Sequence, residues 1–258
     1  MSAPAAGLLA GRTVVVTGAG GGVGAGIAEA CAAHGASVVI AARRVETGEP
    51  VAERIAAAGG RAVCIRCDVA VRDDVDAAVD LAVSRFGGLD AMVHNALAPV
   101  GSPVQIQDVP DDTWEAMKAT AVRASFHCAQ ASFPHLRERE GTLLLISSAT
   151  GVEASPFLPA YGVVKAVQRG LAKSLAREWG PFGIRVNCIG PVAMTPAMER
   201  VYTLNPVLEE RLTGRTPLGR IGDPATDIGP VAVFLISDLS RYMTGQTLMV
   251  DGGGFMGF

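Results

Sequence analysis

The chain has 258 residues, of which 49% are hydrophobic and 18% are charged. Such a chain has enough apolar surface to bury a large core, so disorder as the main state is excluded. The 22 basic and 25 acidic residues give a formal charge of −3, and no long Lys or Arg run is present to follow a phosphate backbone, which excludes nucleic acid as a partner.

Membrane and export signals are also missing from the sequence. The longest apolar runs are interrupted by Gly, Pro or Asp, and the apolar segment from Met1 to Gly11 has no basic start, so we expect neither a membrane span nor a signal peptide. Five cysteines, an odd number, indicate reduced thiols and a cytoplasmic protein. Cys64 and Cys67 fall in one predicted strand, where alternation sends their thiols to opposite faces, so no metal site is expected there.

Short β-branched runs alternate with Ala-rich helical segments along the chain. Strands are predicted at 12–17, 36–42, 62–67, 89–93, 141–147, 184–189 and 246–250. Helices are predicted at 22–34, 46–58, 72–86, 111–138, 157–180 and 224–237. The strands are apolar without alternation, which is typical of parallel strands covered on both faces. The pattern predicts an α/β fold, a doubly wound parallel sheet in a single domain over residues 1–258, with an irregular insertion at 191–222.

A glycine-rich segment, Thr17 to Gly24, lies between the first predicted strand and the first predicted helix. Glycines let a pyrophosphate approach the main chain, and a helix N-terminus offers free N–H donors to an anion. A tight turn that needs glycine only for packing is the alternative. The position at the first strand–helix junction favours a dinucleotide site.

The end of the second strand selects the nucleotide in such folds, because a carboxylate there binds the ribose hydroxyls of NAD and an arginine pairs with the 2′-phosphate of NADP. Here the strand ends at Arg43 and Arg44, with no acidic residue at its tip. Arg43 therefore favours NADP, with NAD left open; solvated loop charges are the alternative interpretation.

A phenol and an ammonium, Tyr161 and Lys165, are four residues apart and so share one face of a predicted helix. A nearby cation favours the phenolate, so Tyr161 is a candidate general acid and base, although a tyrosine packed on a lysine stem has the same spacing. Ser148, thirteen residues upstream, ends a predicted strand on the side of the sheet where ligands bind. Its hydroxyl can hydrogen-bond a substrate oxygen.

Together these residues resemble the short-chain dehydrogenase/reductase family over essentially the whole chain. The motifs of the resemblance are Thr17-Gly18-xxx-Gly22-x-Gly24, Asp68-Val69, Asn95-Ala96, Ser148, Tyr161-xxx-Lys165, Pro191 with Thr195, and Asp251-Gly252-Gly253. The resemblance implies a Rossmann fold of about seven strands. It also implies hydride transfer between a nicotinamide and an alcohol or carbonyl carbon, and a homotetramer.

The resemblance assigns a role to each matching position. Tyr161 is the proton donor or base, Lys165 lowers its pKa and holds the nicotinamide ribose, and Ser148, rather than its neighbour Ser147, orients the substrate oxygen. The remaining cofactor residues are assigned along the strand ends: Gly18, Gly22, Val23 and Gly24 at the pyrophosphate, Arg43 at the 2′-phosphate, Asp68 and Val69 at the adenine, Asn95 at the cleft, and Pro191, Val192 and Thr195 at the nicotinamide. No metal ligand is implied.

Three positions depart from the family pattern. The usual Asn seven residues after a Trp is Ala121, so the water that it holds for proton exchange with the lysine loses its support. Thr120 replaces it only if the local register shifts. Leu97 and Val192 each stand where the family usually has Gly.

The expected substrate is a small apolar alcohol or ketone. Its predicted walls are residues 97–103, residues 151–159, and the side chains of Met194, Met198, Val201, Tyr202, Leu204 and Leu208. The last group also fits the buried face of a helix that caps the domain. The apolar tail at 254–258 is expected to dock on a neighbouring subunit.

Two other functions are compatible with parts of the sequence. One is a nucleotide-binding sensor or assembly subunit with weak or lost catalysis, which Ala121 supports. The other is a sugar-nucleotide epimerase or dehydratase, for whose larger substrate domain this chain leaves little room.

Overall fold

The computed structural model describes residues 7–100, 104–155 and 158–256, without the side chains of residues 197, 201, 204 and 206. Its seven strands form one parallel sheet in the order β3-β2-β1-β4-β5-β6-β7. The strands are β1 (Thr13–Thr17), β2 (Ser37–Ala42), β3 (Arg61–Arg66), β4 (Ala91–His94), β5 (Thr142–Ile146), β6 (Arg185–Pro191) and β7 (Thr247–Val250). The predicted doubly wound α/β fold is therefore confirmed.

Helices cover both faces of this sheet. They are α1 (Gly22–Ala33), α2 (Val45–Ala57), α3 (Arg72–Phe86), α4 (Asp111–Met117), α5 (Ala124–Arg139), α6 (Thr150–Glu153), α7 (Pro159–Trp179), α8 (Pro196–Leu204), α9 (Pro206–Arg215) and α10 (Gly229–Ile236). A π-helical turn, Lys118–Arg123, joins α4 to α5, and a second one, Pro224–Ile228, precedes α10. No helix in the described part of the chain is both long and apolar enough to cross a membrane.

The core has two halves, one on each face of the sheet. Alternation within β1 sends Val14 and Val16 into one half and Val15 into the other. The same alternation separates the CxxC pair, because Cys64 packs on the first half and Cys67 lies in the second. All five cysteines are free, and no group of ligands in the described residues fits a metal ion.

The insertion at 191–222 differs from its prediction. It contains the helices α8 and α9 instead of irregular chain, and each begins with a proline, Pro196 or Pro206. Proline is favoured in the first helical turn, where its missing N–H costs no hydrogen bond. Of the helix predicted at 157–180, residue 157 lies outside the described residues, and α7 begins at Pro159.

The order of the strands positions the site. The strands β2 and β3 lie on one side of β1, and the strands β4 to β7 lie on the other side. The direction in which successive strands are added therefore reverses between β1 and β4. In open α/β sheets the ligand crevice lies at the carboxyl ends of the strands at such a switch point. The predicted site residues follow those strand ends.

Candidate active site

The glycine-rich turn after β1 is closely packed. A Cβ on Gly18, whose φ is +65°, would lie 2.7 Å from the Ala96 Cα, and a Cβ on Gly24 would lie 2.6 Å from the Gly18 carbonyl oxygen. A Cβ on Gly22, whose φ is +55°, would lie 3.2 Å from the Thr195 Cγ2. The turn therefore has no room for a side chain at Gly18 or Gly24, and one at Gly22 would press on Thr195.

The N-terminus of α1 is suited to an anion. No side chain caps this helix, and no acidic residue lies in its first turn. Val23, in that turn, is half-buried and packs its side chain against the core. Free N–H groups and the positive end of the helix dipole are the features that bind a phosphate, so the chain fits a dinucleotide here.

Asn95 and Thr17 connect β4 to β1 at the crevice. The Asn95 amide donates to the carbonyl oxygens of Thr17 at 3.0 Å and Gly18 at 3.1 Å. The Thr17 hydroxyl accepts from the backbone N–H groups of Asn95 and Ala96, so its own proton is directed at His94 Nδ1, 3.1 Å away. Burial lowers the pKa of His94 to about 3, so its ring is neutral at physiological pH.

The predicted adenine and 2′-phosphate residues follow β3 and β2. The Asp68 carboxylate is half-buried and accepts from the Ala70 backbone N–H at 3.0 Å, while Val69 is buried. Arg43 and Arg44 are both exposed at the end of β2, with no carboxylate partner in the described residues. Their guanidinium groups are therefore accessible to a ligand.

The predicted nicotinamide residues follow β6. Pro191 is the last residue of that strand, and the Val192 N–H continues the sheet by donating to the Val250 carbonyl at 3.0 Å. Thr195 precedes α8, where its hydroxyl accepts from the Met198 N–H at 3.2 Å. This cap fixes the start of α8 opposite the glycine-rich turn.

The three predicted catalytic residues meet at the end of β5. The Ser148 and Tyr161 side chains are hydrogen-bonded to each other. Lys165, one helical turn after Tyr161 in α7, is buried, with its Nζ 5.7 Å from the centre of the Tyr161 ring. The Ser147 hydroxyl instead donates to the Lys165 backbone carbonyl at 3.0 Å, inside the protein. Ser148 is thus the serine available to a substrate.

The protonation of this group differs in part from the sequence expectation. Burial raises the pKa of Tyr161 above its ordinary value, and the hydrogen bond with Ser148 offsets only part of that increase. Burial also lowers the pKa of Lys165 to about 7. The Lys165 ammonium donates to the oxygens of Ile146 and Gln168 rather than to the Tyr161 hydroxyl.

The departures from the family pattern have distinct structural consequences. Ala121 is fully buried in the first π-helical turn. Thr120 does not replace the missing Asn, because its hydroxyl donates to the Ala116 carbonyl and accepts from the Ala98 N–H. Leu97 packs on the small apolar cluster that contains Ala121 and Val164.

Two polar residues near Lys165 were not predicted from the sequence. Gln168 accepts from the Lys165 ammonium, and Ser125 accepts from the Gln168 amide. Both side chains are buried. The spacing in the sequence could have identified Gln168. It is three residues after Lys165 and therefore on the same face of α7 as Lys165, a face that is otherwise mostly apolar.

A cavity of about 220 Å³ opens beside Tyr161. Its lining is mostly apolar and includes Val100, Val109, Pro110, Met117, Leu158 and Pro159, with Asp108 and Thr113 as polar members. Only the predicted walls at 97–103 and 151–159 contribute to it; residues 101–103 and 156–157 of those walls lie outside the described residues.

None of the described side chains of the predicted wall in the insertion lines that cavity. Tyr202 is buried, Met194 and Met198 are half-buried, and Leu208 is 36% exposed. The side chains of Val201 and Leu204 lie outside the described part of the chain. In the C-terminal tail, Phe255 packs under the Arg215 guanidinium, 4.9 Å from the ring centre, and residues 257–258 are outside the described range.

The sequence is similar to those of known proteins over nearly its whole length. A family model described as enoyl-(acyl carrier protein) reductase matches residues 18–254. L-rhamnose 1-dehydrogenase (NAD(P)(+)) of Azotobacter vinelandii is 36% identical, covering 96% of this chain and 98% of its own, and 3-oxoacyl-[acyl-carrier-protein] reductase of Staphylococcus aureus is 35% identical, covering 95% and 98%.

A solved structure is equally similar. The 7α-hydroxysteroid dehydrogenase complexed with NADH and 7-oxo glycochenodeoxycholic acid superposes with a TM-score of 0.89 at 32% identity, covering 99% of both chains. The seven-stranded parallel sheet, the family model and these relatives agree on one assignment. The chain belongs to the short-chain dehydrogenase/reductase family of oxidoreductases.

Proposed function

We propose that this protein interconverts an apolar secondary alcohol and its ketone, with NADP preferred over NAD and Tyr161 as the acid and base. The observation that carries the proposal is the hydrogen-bonded pair of Ser148 and Tyr161, with Lys165 one turn away, at the same carboxyl ends of the strands as the glycine-rich turn. A phenol, an orienting hydroxyl and a cation are the groups that carbonyl reduction needs.

The proposed roles follow from the positions of the side chains. Ser148 holds the substrate oxygen by a hydrogen bond, and the Tyr161 hydroxyl gives that oxygen a proton in reduction or takes one in oxidation. A bound nicotinamide supplies or accepts the hydride. Lys165 in its charged form stabilises negative charge as it develops on the Tyr161 oxygen. The backbone at Gly18, Gly22, Val23 and Gly24 holds the pyrophosphate, while Asp68, Val69, Asn95, Pro191, Val192 and Thr195 line the rest of the cofactor cleft.

The apolar substrate class rests on the cavity beside Tyr161. Aliphatic side chains line most of it, and such pockets bind apolar ligands with a few polar groups that set orientation. The relatives named above act on a sugar, an acyl carrier thioester and a steroid, so family membership alone leaves this choice open. The mostly apolar walls of the cavity favour an apolar substrate over a polar one such as a sugar.

The NADP preference predicts an effect of Arg43→Ala. Because the exposed Arg43 guanidinium is the proposed partner of the 2′-phosphate, the variant should lose at least about tenfold in affinity for NADPH and little for NADH. Fluorescence titration of both nucleotides measures this. Arg61→Ala, at an exposed arginine at the amino end of the neighbouring strand β3, is the matched control. An unchanged ratio of the two affinities in Arg43→Ala would remove the basis for NADP.

A second candidate function is nucleotide binding with weak or lost catalysis. Ala121 favours it, since the family's usual polar side chain is missing beside Lys165. The presence of Ser148, Tyr161 and Lys165 together at the end of β5 favours the enzyme. Turnover of a ketone by the protein that carries Ala121 distinguishes the two.

We also propose a cytoplasmic homotetramer built as a single domain, which the family resemblance and the five free cysteines support. An apolar groove between α5 and α7 carries the exposed side chains of Phe126, Val163 and Val167. A second copy of the chain is its proposed occupant. Light scattering should give a tetramer for the wild type and a smaller species for Phe126→Glu with Val167→Glu; a wild-type monomer would contradict the assembly.

A further inference from the structure

The ammonium of Lys165 is held by two neutral oxygens. Its Nζ donates to the Ile146 carbonyl at 2.5 Å and to the Gln168 Oε1 at 3.0 Å. Lys165 takes part in none of the ion pairs among the described residues. The charged form of this buried lysine therefore depends on these acceptors, and the side chain of Gln168 provides one of them.

The other end of the Gln168 amide is fixed by α5. Its Nε2 donates to the Ser125 hydroxyl at 3.2 Å and approaches the Ala121 carbonyl at 3.5 Å, while the Ser125 hydroxyl itself donates to that carbonyl at 2.5 Å. In its charged form Lys165 can only donate, and Ser125 has used its proton, so the amide oxygen then faces Lys165 and the amide nitrogen faces α5. This chemistry allows the Gln168 amide only one orientation.

The groups that face Lys165 from the other packed elements carry no compensating charge. His94 from β4 is neutral because burial lowers its pKa to about 3. Cys188 from β6 stays a thiol because burial raises its pKa to about 12, and Tyr161 on α7 stays a phenol because burial raises its pKa. Gln168 is thus the side-chain acceptor whose replacement changes the environment of the ammonium most directly.

We propose that Gln168 is a positioning residue for Lys165. The Gln168 amide, on α7, joins the Lys165 ammonium to the π-helical turn in which Ala121 replaces the family's usual Asn. The proposal rests on the proposed function of Tyr161 and Lys165. It explains how a buried lysine is oriented without a polar side chain at position 121. Residue 121 needs only its backbone carbonyl for this arrangement, and Ala121 supplies it.

The titration of Lys165 tests the proposal without turnover. The chain has only three lysines, Lys118, Lys165 and Lys173, so lysine labelled with ¹³C at the ε carbon gives three NMR signals. Lys118→Arg and Lys173→Arg identify the Lys165 signal. In the wild type its midpoint is expected at about 7. Gln168→Met, similar in length but without an acceptor, should lower the midpoint, and Gln168→Glu should raise it because it adds a carboxylate beside the ammonium.

Catalysis supplies the second readout. Gln168→Met should lower kcat for ketone reduction about tenfold, the effect of losing one hydrogen bond to a charged group, and change KM little. Ser125→Ala should shift the Lys165 midpoint in the same direction as Gln168→Met. The matched control is Ser132→Ala: Ser132 is also buried in α5 and donates to a carbonyl four residues earlier, that of Cys128, but does not contact Gln168.

The outcomes separate positioning from a purely structural role. A reduced melting temperature in Gln168→Met with an unchanged Lys165 midpoint and an unchanged kcat would overturn the proposal. If Gln168→Met fails to fold, Gln168→Glu still tests the proposal. A Lys165 midpoint that does not rise in Gln168→Glu would contradict the contact between residue 168 and Lys165. If the Lys165 midpoint shifts as expected but Tyr161→Phe retains full activity, the contact with Lys165 stands and the proposed function of Tyr161 fails.

Discussion

Replacing Tyr161 with Phe is expected to reduce carbonyl reduction by at least about a hundredfold, since a positioned general acid contributes roughly that much or more. The phenyl ring keeps the packing of Tyr161 but removes the hydroxyl that is hydrogen-bonded to Ser148 and within one helical turn of Lys165. Cofactor affinity should fall by no more than about tenfold, because one hydrogen bond is lost. Steady-state kinetics and a fluorescence titration of NADPH measure the two effects separately.

The chain provides a matched control for this variant. Tyr242 is fully exposed and distant in sequence from every proposed site residue, so Tyr242→Phe should leave both the rate and the cofactor affinity at wild-type values. If Tyr161→Phe reduced a ketone as fast as Tyr242→Phe, the proton would come from another group and the assignment of Tyr161 would be wrong.

Replacing Gly24 with Ala should weaken cofactor binding by at least about tenfold, the effect of losing one hydrogen bond to a charged phosphate. The added Cβ would lie 2.5 Å from the Asn95 Nδ2 and 2.6 Å from the Gly18 oxygen. Neither atom moves freely, because the Asn95 amide is bonded to the carbonyls of Thr17 and Gly18. The glycine-rich backbone must therefore shift. Fluorescence titration of NADPH and NADH measures the loss.

A second glycine controls for the added methyl group itself. Gly170 lies within α7, and a Cβ there would meet no atom within 4 Å. Gly170→Ala should leave cofactor affinity unchanged and raise the free energy of unfolding by up to about 1 kcal/mol, since Ala has the higher helix propensity. Equal cofactor affinity in Gly24→Ala and Gly170→Ala would show that the pyrophosphate is bound elsewhere.

Much of the fold was predictable because local pattern and tertiary structure agree in this chain. The apolar runs of β1 and β5 are buried on both faces and could be recognised as parallel strands without further information. The helices α8 and α9 could not, because Pro196 and Pro206 indicate breaks unless the helix start is already known. The π-helical turn at Lys118–Arg123 has no local sequence signal either, and the pattern there predicts one continuous helix.

The candidate site could be predicted to the level of residues but not of their contacts. The order of the strands requires that the ends of β1, β4 and β5 meet, and α7, which follows β5, places Tyr161 beside Ser148 there. The direction of the Lys165 ammonium depends instead on which buried oxygens lie within reach. Those oxygens belong to Ile146 and Gln168, and only packing of α7 against β5 and α5 determines that they are nearby.

The most direct measurement is a fluorescence titration of the purified protein with NADPH and NADH, followed by the absorbance of the preferred nucleotide across a panel of apolar ketones and alcohols. NADPH should bind more tightly, and its absorbance should fall with at least one ketone. That result would establish oxidoreductase activity and show that a protein with Ala121 catalyses turnover of a ketone. Tight nucleotide binding with no turnover of any compound in the panel would contradict the proposed reaction and favour the nucleotide-binding alternative.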